Sequence, residues 1–197
     1  MKLKLASALL SGLLLAGSQA FAETTTYAID PAHSEIDFSI RHMAISTVHG
    51  RFGLAGGTIL LDKNDPTRSS VIANIDATTV DTGTPQRDAH LKSPDFFDTA
   101  KFPTATFKST AVKRVGEGFD VYGDLTLHGV TKPVILHMEE PSKEQIGPDN
   151  KSHRGFSATT TLHRQDFGLS WNGTLKSGDS ALGDDVKLTF EIEAAQQ

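Results

Sequence analysis

The chain has 197 residues, with 19 Lys and Arg against 24 Asp and Glu, a formal net charge of −5 and 38% hydrophobic residues. That acidic balance makes nucleic acid and anionic membrane surfaces poor partners. The absence of Cys excludes thiol nucleophiles, thiolate metal sites and disulfide stapling, so stability must come from a packed core or a closed sheet.

The first segment, "MKLKLASALLSGLLLAGSQAFAETTT", starts with Lys2 and Lys4, continues through an apolar run from Leu9 to Leu15, and reaches the small residues Ala20 and Ala22. This is the pattern of a secretory signal peptide, with cleavage expected after Ala22. Its apolar run is shorter than the roughly 20 residues that span a bilayer, and nothing later approaches that length. The expected division is a cleaved signal peptide over 1–22 and one domain over 23–197, without stable membrane insertion. Loss of Lys2 and Lys4 leaves 17 basic residues against 24 acidic ones, a formal charge of about −7.

Residues 35 to 41, "EIDFSIR", alternate Ile36, Phe38 and Ile40 with polar neighbours, the period of two that gives a strand one apolar face. Strands are likewise predicted over 58 to 62 and 70 to 80, separated by a polar turn with Pro66. "TATFKSTAVKRV" (104 to 115) and "FDVYGDLTLHG" (119 to 129) flank Gly116-Glu117-Gly118, a hairpin turn. "KPVILHMEE" follows, then a polar loop rich in Pro and Gly, and strands over 154 to 168 and 185 to 194 complete the series. Helical signal is scarce. "TPQRDAHL" predicts a short helix, with Thr84 placed to cap and Pro85 at the first position; a single helical turn is also expected within "HMAISTVHG". About eight antiparallel strands with one apolar face must pack on a second sheet or close into a barrel.

The eight histidines invite a metal reading, but none stands in an H-x-x-x-H or H-E-x-x-H arrangement, and no metal is expected. His128 and His137 are placed to meet across adjacent strands, and His42 and His49 flank a bend. No G-x-S-x-G is present, and "QDFG" (165 to 168) lacks every other kinase element. "NGT" at 172 to 174 reads as a turn. The densest chemistry is in "TPQRDAHLKSPDFFDTAKFP", where Arg87, Asp88 and His90 precede Phe96, Phe97 and Phe102. A carboxylate beside Arg and His has the parts of a general base. The same residues serve as polar anchors of a helical clasp with an apolar underside, which is the preferred reading because no reacting partner group accompanies them.

"YAIDPAHSEIDFSIRHM", "GRFGLAGGTILLD", "ATTVDTGTPQRDAHLKSPDFFDTAKFPTATFKS", "GDLTLHGVTKPVIL", "RQDFG" and the terminal "VKLTFEIEA", in this order, resemble the YceI-like family of secreted bacterial proteins. The resemblance runs from Tyr27 to Ala194. It implies a lipocalin-like antiparallel barrel, a periplasmic location, an apolar cavity that takes an amphiphile such as a polyisoprenoid, isoprenoid quinone or fatty amide, and dimers for some members. It implies a binding protein, not an enzyme, with no cofactor beyond the bound lipid.

The alternation supplies a lining for such a cavity independently: Ile36, Phe38 and Ile40; Val71, Ala73 and Ile75; Phe97 and Phe107; Val121 and Leu125; Leu136 and Met138; Phe156 and Leu162; Leu188 and Phe190. His33, Arg41, His42, Arg87, Asp88 and His90 are the candidates for a polar mouth or for bracing the fold. The expected function is a carrier of an isoprenoid-type lipid. The alternative is an enzyme of the same shape that uses Asp88 and His90, with or without a metal.

Overall fold

Alternating segments that each bury one face pair with one another around a common interior. In the computed structural model, which describes residues 24–197, they form ten strands. These are β1 (Thr24–Ile29), β2 (Glu35–His42), β3 (Ser46–Asp62), β4 (Ser70–Asp81), β5 (Thr104–Val115), β6 (Gly118–Leu127), β7 (Val130–Met138), β8 (Gln145–Ile146), β9 (Ser152–His163) and β10 (Leu182–Gln196). One helix, α1 (Pro85–Lys92), lies between β4 and β5. The expected signal peptide lies outside the described residues.

Strands β2 to β7 pair in succession, β7 pairs with β9, β9 with β10, and β10 returns to β2, so eight antiparallel strands close a ring. Closure pairs the edges of this eight-stranded ring and is one of the two ways in which an apolar sheet face can be buried. β1 extends the wall at one end: Tyr27 pairs with Gln196 of β10 and with Ile59 of β3, beyond the point where β2 begins. β8 is a two-residue appendage on β9. The seam between β7 and β9 is thin. It has two register pairs, His137 with Thr159 and Met138 with Ala158, whereas β9 and β10 stay paired from His163 with Asp185 to His153 with Ala195.

Cross-strand register carries the lining around the ring. Phe38 faces Leu188 and Ile40 faces Val186; Ala73 faces Phe107, which faces Leu125; Val121 faces Leu136. A bulge in β5 between Ser109 and Ala111 shifts its parity, so that both Phe107 and Val112 are buried despite their odd separation. The Phe107 ring lies against the backbone of Gly123, where a Cβ would come within 2.4 Å of it.

Several expectations need correction. β1 and β8 were not anticipated, because each is short and adjoins a segment with another evident reading. The strand expected over 58 to 62 is the end of the 17-residue β3, whose glycines hide its alternation. Gly57 is required by close approach, since a Cβ there would lie 2.3 Å from the Ile72 carbonyl oxygen. The helical turn expected within 42 to 50 is instead a reverse turn at Met43–Ile45, with φ of 51° at Met43 and 58° at Ala44. The strand predicted to reach 168 stops at His163 and gives way to a 3-10 turn over Arg164–Phe167. The Thr84 side chain makes no capping bond to α1; its hydroxyl accepts from Arg87 Nη2 at 3.2 Å.

Candidate functional site

The inward faces enclose an apolar chamber of about 330 Å³ and, beyond it, a smaller one of about 100 Å³. Ile36, Ile75, Phe107, Leu136 and Phe190 border both, so the two lie end to end about a shared waist. The larger chamber is also walled by Phe38, Ile40, Leu125, Leu162 and Leu188, with Phe97 bordering it beneath α1. The smaller is walled by Val71, Ala73, Val121, Met138 and Phe156. Every apolar position expected on the lining therefore faces one chamber or the other. Phe52 joins two of them, its ring 5.3 Å from that of Phe38 and 5.2 Å, edge-on, from that of Phe97.

A separate cleft of about 670 Å³ runs along the thin seam, bordered by Lys132, Ile135 and His137 on β7 and by Thr159 and Thr161 on β9. Val134, Thr160, Leu162 and Leu188 border this cleft and the larger chamber alike.

Polar groups gather where the larger chamber meets α1. His42, Thr82, Arg87, His90, Thr160 and Arg164 all border it. Pro85 starts the helix in register, and Asp88 anchors it by accepting from the Thr82 N–H at 2.8 Å and the Thr82 hydroxyl at 2.5 Å. Arg87 reaches the same residue, donating from Nε to the Thr82 hydroxyl at 2.7 Å and from Nη2 to its carbonyl at 2.9 Å. Adjacent in sequence, Arg87 and Asp88 thus share Thr82 between them. His90 does not meet Asp88. Its Nε2 lies 2.9 Å from Asp95, and its ring stacks edge-on against Phe96 and Trp171 at 5.0 and 5.1 Å. The geometry supplies a braced helix and an aromatic rim, and it does not pair His90 with Asp88.

Two of the expected mouth residues lie elsewhere. His33 sits in the β1–β2 loop, at the far end of β2 from His42, with Nδ1 2.8 Å from Asp30. Arg41 is exposed, since parity turns it away from the chamber that His42 borders, and it donates to Thr47 and to the Ala44 carbonyl. His128 and His137 do not meet. His128 occupies the β6–β7 turn against the Phe167 carbonyl, and His137 pairs with Asp120 at 2.7 Å. Among the described residues, Asp30, His33 and Glu193 place one potential ligand atom each within 4.8 Å of one another. His33 and His153 are both held above the usual histidine range, chiefly by hydrogen bonds to Asp30 and Asp149 respectively.

Arg164 and Trp171 were missed. Arg164 is 4% exposed, and its Nε and Nη1 donate to the backbone carbonyls of Gly183, Leu169 and Trp171. The signal was present: Phe156, Ala158, Thr160 and Leu162 are inward, and the same alternation continued by two residues reaches Arg164. Trp171 is the chain's one tryptophan, but the loop that carries it has no periodicity to place it.

A closed antiparallel barrel with a mostly apolar interior defines a lipocalin-like fold. The YceI-like domain model matches residues 27–194, and the chain belongs to that family. A UPF0312 protein of Pseudomonas syringae pv. tomato is 37% identical over 192 residues, covering 97% of each chain. Protein YceI of Escherichia coli O157:H7 is 34% identical over 197 residues, covering all of both. Among solved structures, the YceI protein of Campylobacter jejuni superposes with a TM-score of 0.67 at 29% identity, covering 80% of this chain and 90% of that one. A polyisoprenoid binding domain from Saccharophagus degradans has the same fold, with a TM-score of 0.63 at 18% identity over 88% of this chain and 99% of that one.

Proposed function

We propose that this protein is a periplasmic carrier that holds an isoprenoid-type amphiphile with its tail inside the barrel and its head at the α1 mouth. The observation that carries the reading is the pair of apolar chambers placed end to end, with polar side chains at one end of the larger. A chamber of about 330 Å³ falls in the range of small-molecule pockets, and an apolar wall with a few convergent polar groups is their usual composition. The name of the Saccharophagus domain, which shares this fold, is consistent with a prenyl ligand.

Energetics favour a shuttle over a sink. Each buried CH₂ is worth about 0.8 kcal/mol relative to water, but a tail leaving a membrane is already in an apolar medium. Its transfer into the barrel is near balance, so the head sets selectivity and the protein both loads and unloads. The role is binding without catalysis. Native mass spectrometry of protein purified from its own host, followed by solvent extraction, should yield one apolar ligand per chain. Protein that stays empty and does not take up prenols in titration would sink the reading.

A further inference from the structure

Strands β7 and β9 are each fully laddered on one flank and almost unpaired where they meet. β7 keeps register with β6 from Met138 opposite Phe119 to Val130 opposite Leu127, and β9 keeps register with β10 from His163 to His153. Between β7 and β9 the ladder is His137 with Thr159 and Met138 with Ala158, extended by the Glu139 N–H, which donates to the Ser157 carbonyl at 3.0 Å. The next sparsest seam of the ring, β4 with β5, has five register pairs. Residues 130–136 therefore have no partner on β9, a length of roughly 20 Å at about 3.3 Å per residue. The far end is pinned again, where His128 Nδ1 lies 3.2 Å from the Phe167 carbonyl oxygen. A window results, bounded by two strands and two fixed ends. Side chains close it: Thr160 and Leu162 are buried, and with Val134 and Leu188 they border both the outer cleft and the larger chamber.

The mouth is held more firmly. Asp88 and Arg87 share four hydrogen bonds with Thr82 beneath α1, and Arg164 donates to the carbonyls of Leu169 and Trp171 in the rim loop and to that of Gly183. Local opening selects the parts of a fold with the fewest such bonds to break. We propose that the β7–β9 seam is a side entrance, through which the amphiphile passes between the two strands into the larger chamber. This entrance presupposes the carrier reading and adds the route to it. Antiparallel strands direct main-chain N–H and C=O groups alternately to either side, so the unpaired lengths present donors and acceptors to the cleft. Thr159, Thr161 and Lys187 add polar side chains along it. A polar head crossing the window exchanges water for these groups, while the tail meets Val134, Leu162 and Leu188. Entry from the side also spares the tail from being threaded end-on past α1.

The chain has no Cys, so one introduced thiol gives a single attachment point. Thr161→Cys places it on the exposed face of β9 at the cleft, where it takes a poly(ethylene glycol) maleimide. The same group on Ile72→Cys, at a position 45% exposed on β4 across the ring, is the control. Trp171 emission in stopped flow follows uptake of geranylgeraniol and its release to a β-cyclodextrin acceptor; calorimetry gives the dissociation constant. Conjugation at Thr161 should slow uptake and release alike by about tenfold or more and leave affinity within about threefold, because an obstructed route changes rates and not the bound state. Conjugation at Ile72 should change neither. Unaltered rates in the Thr161 conjugate, an equal slowing in the Ile72 conjugate, or a loss of affinity in place of matched rate losses overturns the proposal. Should Thr161→Cys fail to fold, Ile135→Cys carries the same group from the opposite edge of the cleft, with the same expectations. Unconjugated protein that binds no geranylgeraniol overturns the carrier reading itself, a result distinct from rapid exchange past a blocked seam.

Discussion

Asp88 holds Thr82: one carboxylate oxygen accepts both the N–H and the hydroxyl of that residue, at 2.8 and 2.5 Å, and so pins the first turn of α1 to the end of β4. Asp88→Ala leaves those part-buried donors unmatched and should lower stability by about 1–3 kcal/mol. Thermal melts measure the loss. Prenol affinity measured well below the melting temperature should stay within about threefold. An unchanged melting temperature would return Asp88 to consideration as a chemical group.

At the opposite end, Glu144 accepts from the Tyr27 hydroxyl, the Lys63 ammonium and the Ser152 hydroxyl, each at 2.8 Å. Lys63 first, then Ser152 and Tyr27, pull the carboxyl down from 4.5 to about 2. A depressed carboxyl contributes stability that is fully present above its unfolded value and is lost as pH falls through its folded one. The melting-temperature gap between the unaltered protein and Glu144→Gln should therefore be widest near neutrality and shrink as pH drops from 4.5 towards 2. A gap that stays constant with pH would mean that packing, not charge, supplies the contribution of Glu144.

Phe107 borders both chambers, so it should limit how far a tail extends. Phe107→Leu is expected to lower the melting temperature, because ring contacts are lost, and to raise affinity for long prenols severalfold relative to farnesol. Competition titrations across a chain-length series measure this. A parallel change at every length would place long tails outside the smaller chamber.

Trp171 is the single tryptophan and stacks on Phe96 and His90 at the rim while 38% exposed. Its emission should move to shorter wavelength and saturate at one ligand per chain as a tail enters. Trp171→Ala should speed ligand release more than it slows uptake, as stopped-flow mixing can resolve. Equal effects on both rates would argue that the rim is only a wall.

Much of the lining was legible because a strand permits only two faces. Once Ile36, Phe38 and Ile40 are inward, parity places the rest of β2, and the same holds from Phe156 to Leu162. Legibility failed where that rule is interrupted. The glycines of β3 carry no side chain to report a face, the bulge after Ser109 reverses parity, and left-handed residues turn the chain at Met43 and Ala44. At the mouth, the sequence places Arg87 and Asp88 side by side but cannot reveal that both close on Thr82, nor that His90 turns to Asp95 and Trp171.

By itself, the sequence determined the class: acidic, free of Cys, built from alternating strands and carrying YceI-like motifs, it specifies an antiparallel sheet with one apolar face. Periodicity is a local property, and local side-chain pattern is enough to fix it. Only the tertiary structure decided that this face closes on itself through β10 and β2, that the interior narrows between two chambers at a waist of Ile36, Ile75, Phe107, Leu136 and Phe190, and that Arg164 is buried with an unmatched donor. Those are consequences of long-range register and of which strand ends meet, and no window of residues contains them.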